Sequence, residues 1–487
     1  MSPEAAIVAA LAVPAAGAAL VVACGRAPNL RETVTLATAG LLLASVIALV
    51  RPVLDGARPS LVLFDLLPGM PLAFRVEPLG MLFALVASGL WIVNSLYSIG
   101  YMRGNDEPHQ TRFYACFALA LAATMGVAFS GNLLTLFGFY ELLTLVTYPL
   151  VTHHGDAESR RGGRIYLGYL LATSIVLFLP AVIATWAFSG SIEFRPGGIL
   201  GGAGLSNAAL GGLLALYMFG IGKAALMPVH RWLPAAMVAP TPVSALLHAV
   251  AVVKAGVFVA VKVVVYVFGL ETLAGVRAAD WLPAVAGFTI IAASIIALRA
   301  DNLKRRLAYS TVSQLSYIVL AAALLVPLSV VGAILHIATH AVAKITLFFA
   351  AGAIYTAAHK TEVSQLDGIG RRMPWTMGAF AIGALSLIGI PPAAGFFSKW
   401  YMFQGAAAAG HWTALAVLGA STLLNAAYFL PIVYAAFWRP ERAPPEHDHG
   451  EAPLASVAAL VLTAVATLTL PLLGALPLAL ARATITP

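Results

Sequence analysis

Charge is what this chain has least of. Asp, Glu, Lys and Arg make up 10% of its 487 residues, against 61% hydrophobic, whereas a soluble globular domain carries roughly a quarter charged residues. Cysteine is almost missing. Cys24 and Cys116 sit in or at the end of apolar runs, with no CxxC pair and no His/Cys cluster beside them. That excludes a disulfide framework and leaves no ligand set for an iron–sulfur or other metal site. A phosphate-binding loop is missing too: "GIGKA" has Tyr217 where the motif's first glycine belongs and Ala224 where a hydroxyl residue should follow the lysine. No cofactor, and no redox or hydrolytic centre, is expected in the chain itself.

Long apolar runs are what is there. About fourteen recur, the first near 4–24 and the last near 454–473, and most approach the ~18–25 residues that a helix needs to cross a bilayer. The first has no basic start and carries Glu4, so it reads as a retained helix and not as a cleaved signal. The run near 375–409 is too long for one straight crossing and is interrupted by "GIPPAAG". The expected fold class is an all-α polytopic membrane protein. The net charge of +8 does not point to nucleic acid, because of where the charge lies. Sorted by alternate loops, about 17 Lys and Arg residues fall on one side and about 6 on the other, which by the positive-inside rule places the richer side, with the loop "HHGDAESRRGGR", in the cytoplasm. Both termini are then expected outside, in a bacterial inner membrane.

Five basic residues fall in neither set of loops: Lys223, Lys254, Lys262, Lys344 and Lys399. All are lysine, in a chain with 21 arginines and 7 lysines. Arginine stays protonated under almost any condition, while a desolvated lysine can release its proton. A membrane interior in which protons come and go needs the second kind. Glu141 is the single carboxylate deep in a run, and His248, His336 and His340 also lie in runs. Lys262 is near a helix end, from which its chain can snorkel to the interface. A lone membrane histidine is often only a helix–helix hydrogen bond, but His336, His340 and Lys344 recur at i, i+4 and i+8 and share one helix face. A buried charge costs at least about 2.5 kcal/mol on the lenient insertion scale, so five such amines facing one carboxylate read as a hydrated path. Two of them stand beside helix breakers. Pro228 follows Lys223, and Pro391 and Pro392 precede Lys399; broken membrane helices recur at the midplane sites of transporters. Lys223 and Lys399 are 176 residues apart, an offset that suits a repeat of about five helices, the two copies inverted.

The stretches "KAALMPVHRWLPAAMVAPTPVSALLHAVAVVKAGVF", "DNLKRRLAYSTVSQLSYIVLA", "HAVAKITLFFAAG" and "GIPPAAGFFSKW" resemble the antiporter-like membrane subunits of respiratory complex I, of Mrp-type cation/proton antiporters and of membrane-bound hydrogenases. The likeness covers roughly residues 76–440. It implies fourteen transmembrane helices with two inverted five-helix repeats and broken helices seven and twelve. The chain then divides into helices one to three (1–110), a first repeat (111–270), a second repeat (280–437), and a cytoplasmic loop with helix fourteen (438–487). The resemblance also implies site roles. Glu141 matches the fifth-helix glutamate that pairs with the seventh-helix lysine, here Lys223. His248 and Lys254 match the eighth-helix polar positions, His340 and Lys344 the eleventh-helix motif, and Lys399 the twelfth-helix ion. Two departures stand out. Ala235 and Val238 occupy places in "LPAAMVAPTP" that are acidic in many members, and Lys399 is a glutamate in one subunit type. The short segment after helix fourteen is like that of the D-type Mrp subunits and the shorter complex I subunits.

The implied function is proton translocation, with Na+/H+ exchange left open, as one membrane subunit among others in a complex I-like or Mrp-like assembly. A proton released when the Glu141–Lys223 pair weakens would pass His248, Lys254 and the His336–His340–Lys344 face to Lys399 along a hydrated axis. A non-conducting structural subunit and a stand-alone secondary transporter remain the competing readings. In "PPEHDHGEAP", His447, Asp448, His449 and Glu451 read as a solvated loop and not as a metal site.

Overall fold

Backbone amides in lipid have no water to bond, so an apolar run must close its own hydrogen bonds. Most of this chain does so as helix. The computed structural model describes residues 1–441 and 450–485. Helices α1 (Pro3–Ala23), α2 (Pro28–Leu54), α3 (Pro78–Gly104), α4 (Gln110–Ala128), α5 (Leu133–Val151) and α6 (Ala157–Ser189) lead to α7 (Asn207–Gly220). Beyond an irregular segment follow α8 (Val252–Lys262), α9 (Trp281–Arg299), α10 (Leu303–Ala323) and α11 (Pro327–Ala358). Then come α12 (Pro374–Ile388), α13 (Ala394–Ala408), α14 (Trp412–Trp438), α15 (Leu454–Thr469) and α16 (Ala475–Ile485). Among the described residues, nine helices have the length and hydropathy to cross a membrane.

At the centre is α11. Its most apolar stretch is buried throughout, and it packs against α8, α10, α12, α13 and α15. A helix sealed from lipid on every side can hold polar side chains that no lipid-facing helix would tolerate, and this one carries His336, His340 and Lys344.

Two helices are broken, and each break lies at a lysine. After α7 the chain makes a tight turn at Gly222–Ala224 and enters the left-handed region at Ala225 (φ 55°). The helix therefore ends before Lys223, several residues ahead of Pro228, and Lys223 stands inside the break instead of one turn before it. The indole of Trp232 donates to the freed carbonyl of Gly222 at 2.8 Å, which satisfies a group that lipid could not. The second break is Gly389 (φ 95°) with Pro391 and Pro392, between α12 and α13. Met227–Pro228 and Pro391–Pro392 are both cis.

The chain is not wholly helical. Strands β1 (Ser60–Leu67) and β2 (Met70–Arg75) form an antiparallel hairpin between α2 and α3. Gly69 (φ 73°) makes the turn, a conformation that favours glycine. The hairpin is fastened to the α4–α5 connection: Arg75 N–H donates to Phe129 O at 2.6 Å, Gly131 N–H to Ala73 O at 2.9 Å, and the Asn132 amide to Pro71 O at 2.7 Å. Strand β1 leaves Val62, Leu63, Phe64, Leu66 and Leu67 exposed.

Of the acidic tail, His447, Asp448 and His449 lie outside the described residues. Glu451 is placed, and it caps α12: its carboxylate accepts from the amides of Trp375 (2.8 Å) and Thr376 (3.2 Å) and from the Thr376 hydroxyl (2.5 Å). A carboxylate at a helix N-terminus satisfies orphan donors and meets the positive end of the dipole.

Candidate functional site

The five expected lysines are all buried, and each ammonium finds acceptors. Burying an amine without partners costs several kcal/mol, so where each reaches is informative. Lys223 Nζ donates to the carbonyl of Tyr140 at 2.8 Å and to Thr144 Oγ1 at 2.6 Å, and lies 3.2 Å from the centre of the Tyr140 ring. All of these belong to α5. Gly256 on α8 makes room behind the break, because a Cβ there would stand 2.3 Å from the backbone of Lys223 and Ala224.

The expected contact between Glu141 and Lys223 is absent: among the described residues no ion pair joins them. Glu141 is the next residue of α5 after Tyr140 and so projects about 100° around the helix from it. Its carboxylate is half-buried and faces Ser174 as well as the Lys223 charge. The two charges act on each other at a distance, and the hydrogen bonds of Lys223 go to a carbonyl and a hydroxyl.

Lys254 on α8 is hydrogen-bonded to His340 Nδ1 on α11. One turn earlier on α11, the His336 ring lies 5.7 Å from that of His340. His336 Nε2 is 2.9 Å from Gln314 Oε1, and His336 Nδ1 is 2.8 Å from Ser398 Oγ, which in turn lies 2.9 Å from Thr339 Oγ1. The Gln314 amide donates to Leu387 O at 3.4 Å. That same carbonyl accepts from Lys399 Nζ at 2.6 Å. A buried row of polar side chains thus runs from α8 through α11 and α10 to the second break, with the His340 and His336 rings 5.7 Å apart along it. Lys344 stands beside it, donating to Ser310 Oγ at 2.5 Å and to Leu307 O at 3.3 Å. The backbone of His248 lies in the helical turn before α8; its side chain is outside those described.

Lys262 does not snorkel. It is fully buried and pairs with Glu77 at 2.9 Å, at the hairpin end of α3, while donating to Ser130 O at 2.9 Å. Glu77 is therefore a buried carboxylate that answers one of the five amines, and the ratio of five amines to one acid read from the sequence was too high. Tyr140, Thr144, Ser310, Gln314 and Ser398 were also missed. Their signal was available: Ser310 and Gln314 are four apart in α10, and Ser398 adjoins Lys399.

The family model described as NADH:quinone oxidoreductase/Mrp antiporter, TM matches residues 130–425, and that for the NADH-ubiquinone oxidoreductase (complex I) chain 5 N-terminus matches 69–114. NADH-quinone oxidoreductase subunit N of Desulforudis audaxviator is 34% identical over 84% of this chain and 81% of the relative. The A/B subunit of a probable K(+)/H(+) antiporter of Rhizobium meliloti is 33% identical over 69% of this chain, which spans 33% of that longer protein. Among solved structures, a chain of the Mrp complex from Dietzia sp. superposes with a TM-score of 0.85 at 25% identity, over 100% of this chain and 97% of that one. With nine apolar helices of membrane-crossing length, the chain is an integral membrane protein.

Proposed function

As the chain belongs to the NADH:quinone oxidoreductase/Mrp antiporter transmembrane family, we propose that it translocates protons as one membrane subunit of a multisubunit complex. The observation that carries this is the buried row of ionisable side chains from Lys254 and His340 through His336 to Lys399, with Lys344 beside it. Amines and imidazoles exchange protons. A sodium site would call for a cage of oxygen ligands, as hard cations do, whereas the ionisable groups of the row are amines and imidazoles. Lys223, with Glu141 in its field, is the first station. Lys254, His340 and His336, with Lys344 alongside and His248 in the preceding turn, form the middle, and Lys399 is the last.

The finer architecture belongs to the same proposal: fourteen crossings, with inverted repeats over 111–270 and 280–437 flanked by 1–110 and 438–487, both termini outside and a bacterial inner membrane around them. The paired breaks at Lys223 and Lys399 support the repeat. The exposed apolar face of β1 supports a neighbour subunit of an Mrp-type or complex I-like assembly, because exposed apolar patches mark interaction sites.

Inverted vesicles holding the complete complex test the reading. Energised wild-type vesicles are expected to acidify, and Lys254→Ala vesicles with the same amount of assembled complex are not. Equal acidification by both would remove the row from the mechanism and favour a structural role for the chain.

A further inference from the structure

The row needs a way in, and the segment "LPAAMVAPTP" carries no acid to attract a proton. The structure supplies acids from elsewhere. A cavity of about 390 Å³ opens where Met237–Thr241 meets the loops after α3 and α5. The 27 residues of α3 span about 40 Å and put this cavity on the face opposite the hairpin. We propose that the cavity between Glu107, His154, Asp156 and Lys304 is the mouth through which protons reach the row, with Glu107 as the acceptor. This rests on the proton-translocating reading above.

Glu107 is held between two imidazoles. Its Oε2 lies 3.1 Å from His154 Nε2 and 3.6 Å from His153 Nε2. The His153 side chain is fully buried, with its Nε2 turned toward the Glu107 carboxylate. The two imidazoles, one buried and one at the surface, hold the carboxylate in place inside the cavity. Asp156 and Glu158 add negative charge at the rim, and Lys304 closes the other side by donating to Ala239 O at 2.5 Å.

The floor leads to the row. Thr241 lines the cavity and opens the helical segment that continues into α8; Lys254 lies 13 residues on, about 20 Å of helix. Tyr355 lines it from α11, the helix that carries Lys344 and His340 farther up. Gly352 on α11 is a point of close packing between the floor and the row. A Cβ there would stand 2.2 Å from the Tyr97 hydroxyl and 2.7 Å from Thr241 Cγ2, so the glycine lets these two side chains pack directly on α11. In chemical terms, hydronium gives its proton to the Glu107 carboxylate and leaves as water. The acid then yields that proton to water on the row side, and the carboxylate is restored for the next.

The test uses the whole complex in inverted vesicles, with the pH on the mouth side varied. Glu107→Gln is expected to slow translocation about tenfold at alkaline pH on that side, the lower end of what focused charge gives to capture rates. At acid pH, where hydronium is abundant, it should approach wild type, and Glu107→Asp should restore the alkaline rate. A Glu107→Gln rate equal to wild type at every pH overturns the proposal, and so does a uniform loss at every pH. Wild-type vesicles that move no protons sink the parent reading instead. If the variant does not assemble, a water-soluble carbodiimide applied to the mouth side of the wild type decides. Labelling of Glu107 that stops transport supports the mouth; no labelling, or transport undiminished after labelling, overturns it.

Discussion

Lys399 Nζ lies 2.6 Å from the carbonyl oxygen of Leu387 and 3.1 Å from that of Ile388, so the amine of α13 closes the cut end of α12. A helix C-terminus presents orphan carbonyls and a partial negative charge, and the Lys399 amine donates to two of them. Lys399→Arg keeps that attraction and removes the ability to give up the proton. We expect assembly to survive and translocation to fall by about 100-fold, within the range that a positioned acid–base group contributes. Vesicle transport, normalised to assembled complex, reads this out; wild-type rates would take Lys399 out of the proton path.

Lys223 is held by Tyr140 O and Thr144 Oγ1 instead of by Glu141. Lys223→Ala should therefore abolish transport with the complex intact. Thr144→Val should be milder, leaving a buried ammonium short of one acceptor at a cost of about 1–3 kcal/mol. Thermal denaturation of the purified complex and vesicle transport measured together separate the two. A Thr144→Val protein as stable as wild type would mean that the amine has another acceptor.

Gly256→Ala forces a methyl to within 2.3 Å of the backbone at the first break. Backbone cannot step aside as a side chain can, so an overpacking cost of about 1–3 kcal/mol is expected. Melting of the detergent-purified complex should drop accordingly, while Gly138→Ala, with nothing within 4 Å, should not move it.

The two histidines beside Glu107 should titrate apart. The hydrogen bond to Glu107 holds His154 above the ordinary imidazole range, and burial pushes His153 down to about 4. The signs differ. What His154 adds to stability is complete below about 6.5, its unfolded value, and is lost as pH rises through its folded value. What neutral His153 adds is present above about 6.5 and is lost as pH falls toward its folded value. Ring shifts in histidine-labelled complex check this, and two rings titrating together near 6.5 would contradict it.

Orientation is testable at Ala157, which is exposed. Ser159, which the sequence makes an equally natural labelling position, is buried, its amide tied to Asp156. In a background without Cys24 and Cys116, Ala157→Cys should resist an impermeant thiol reagent on intact cells and react in inverted vesicles. The reverse pattern would invert the topology.

Much of this was legible because a membrane makes sequence literal. An apolar run has to be helix, and an ionisable residue within one has to be answered for. That is why Lys254, His336, His340, Lys344 and Lys399 could be named from one chain. What stayed hidden was relational. Nothing in the string says that Lys262 meets Glu77, since the two are 185 residues apart and each looks like an interfacial residue. Attention to long runs hid the hairpin at Ser60–Arg75, although "LPGM" spells its turn. The Glu141–Lys223 contact failed for a geometric reason: adjacent residues on α5 face different ways, and Lys223 took the carbonyl of one and left the carboxylate of the other.

Gln314 carries one more consequence. Its amide nitrogen is committed to Leu387 O, which turns its oxygen toward His336 Nε2, so that imidazole nitrogen must hold the hydrogen. An amide oxygen receives a hydrogen bond but does not pass a proton on. The chain of contacts is therefore an insulated joint as drawn: complete as scaffolding, interrupted as a wire. Conduction past this point requires the His336 ring to turn, or a water to come between it and Lys399. The bonds that hold the two halves of the row together are thus the ones that would have to change for a proton to cross.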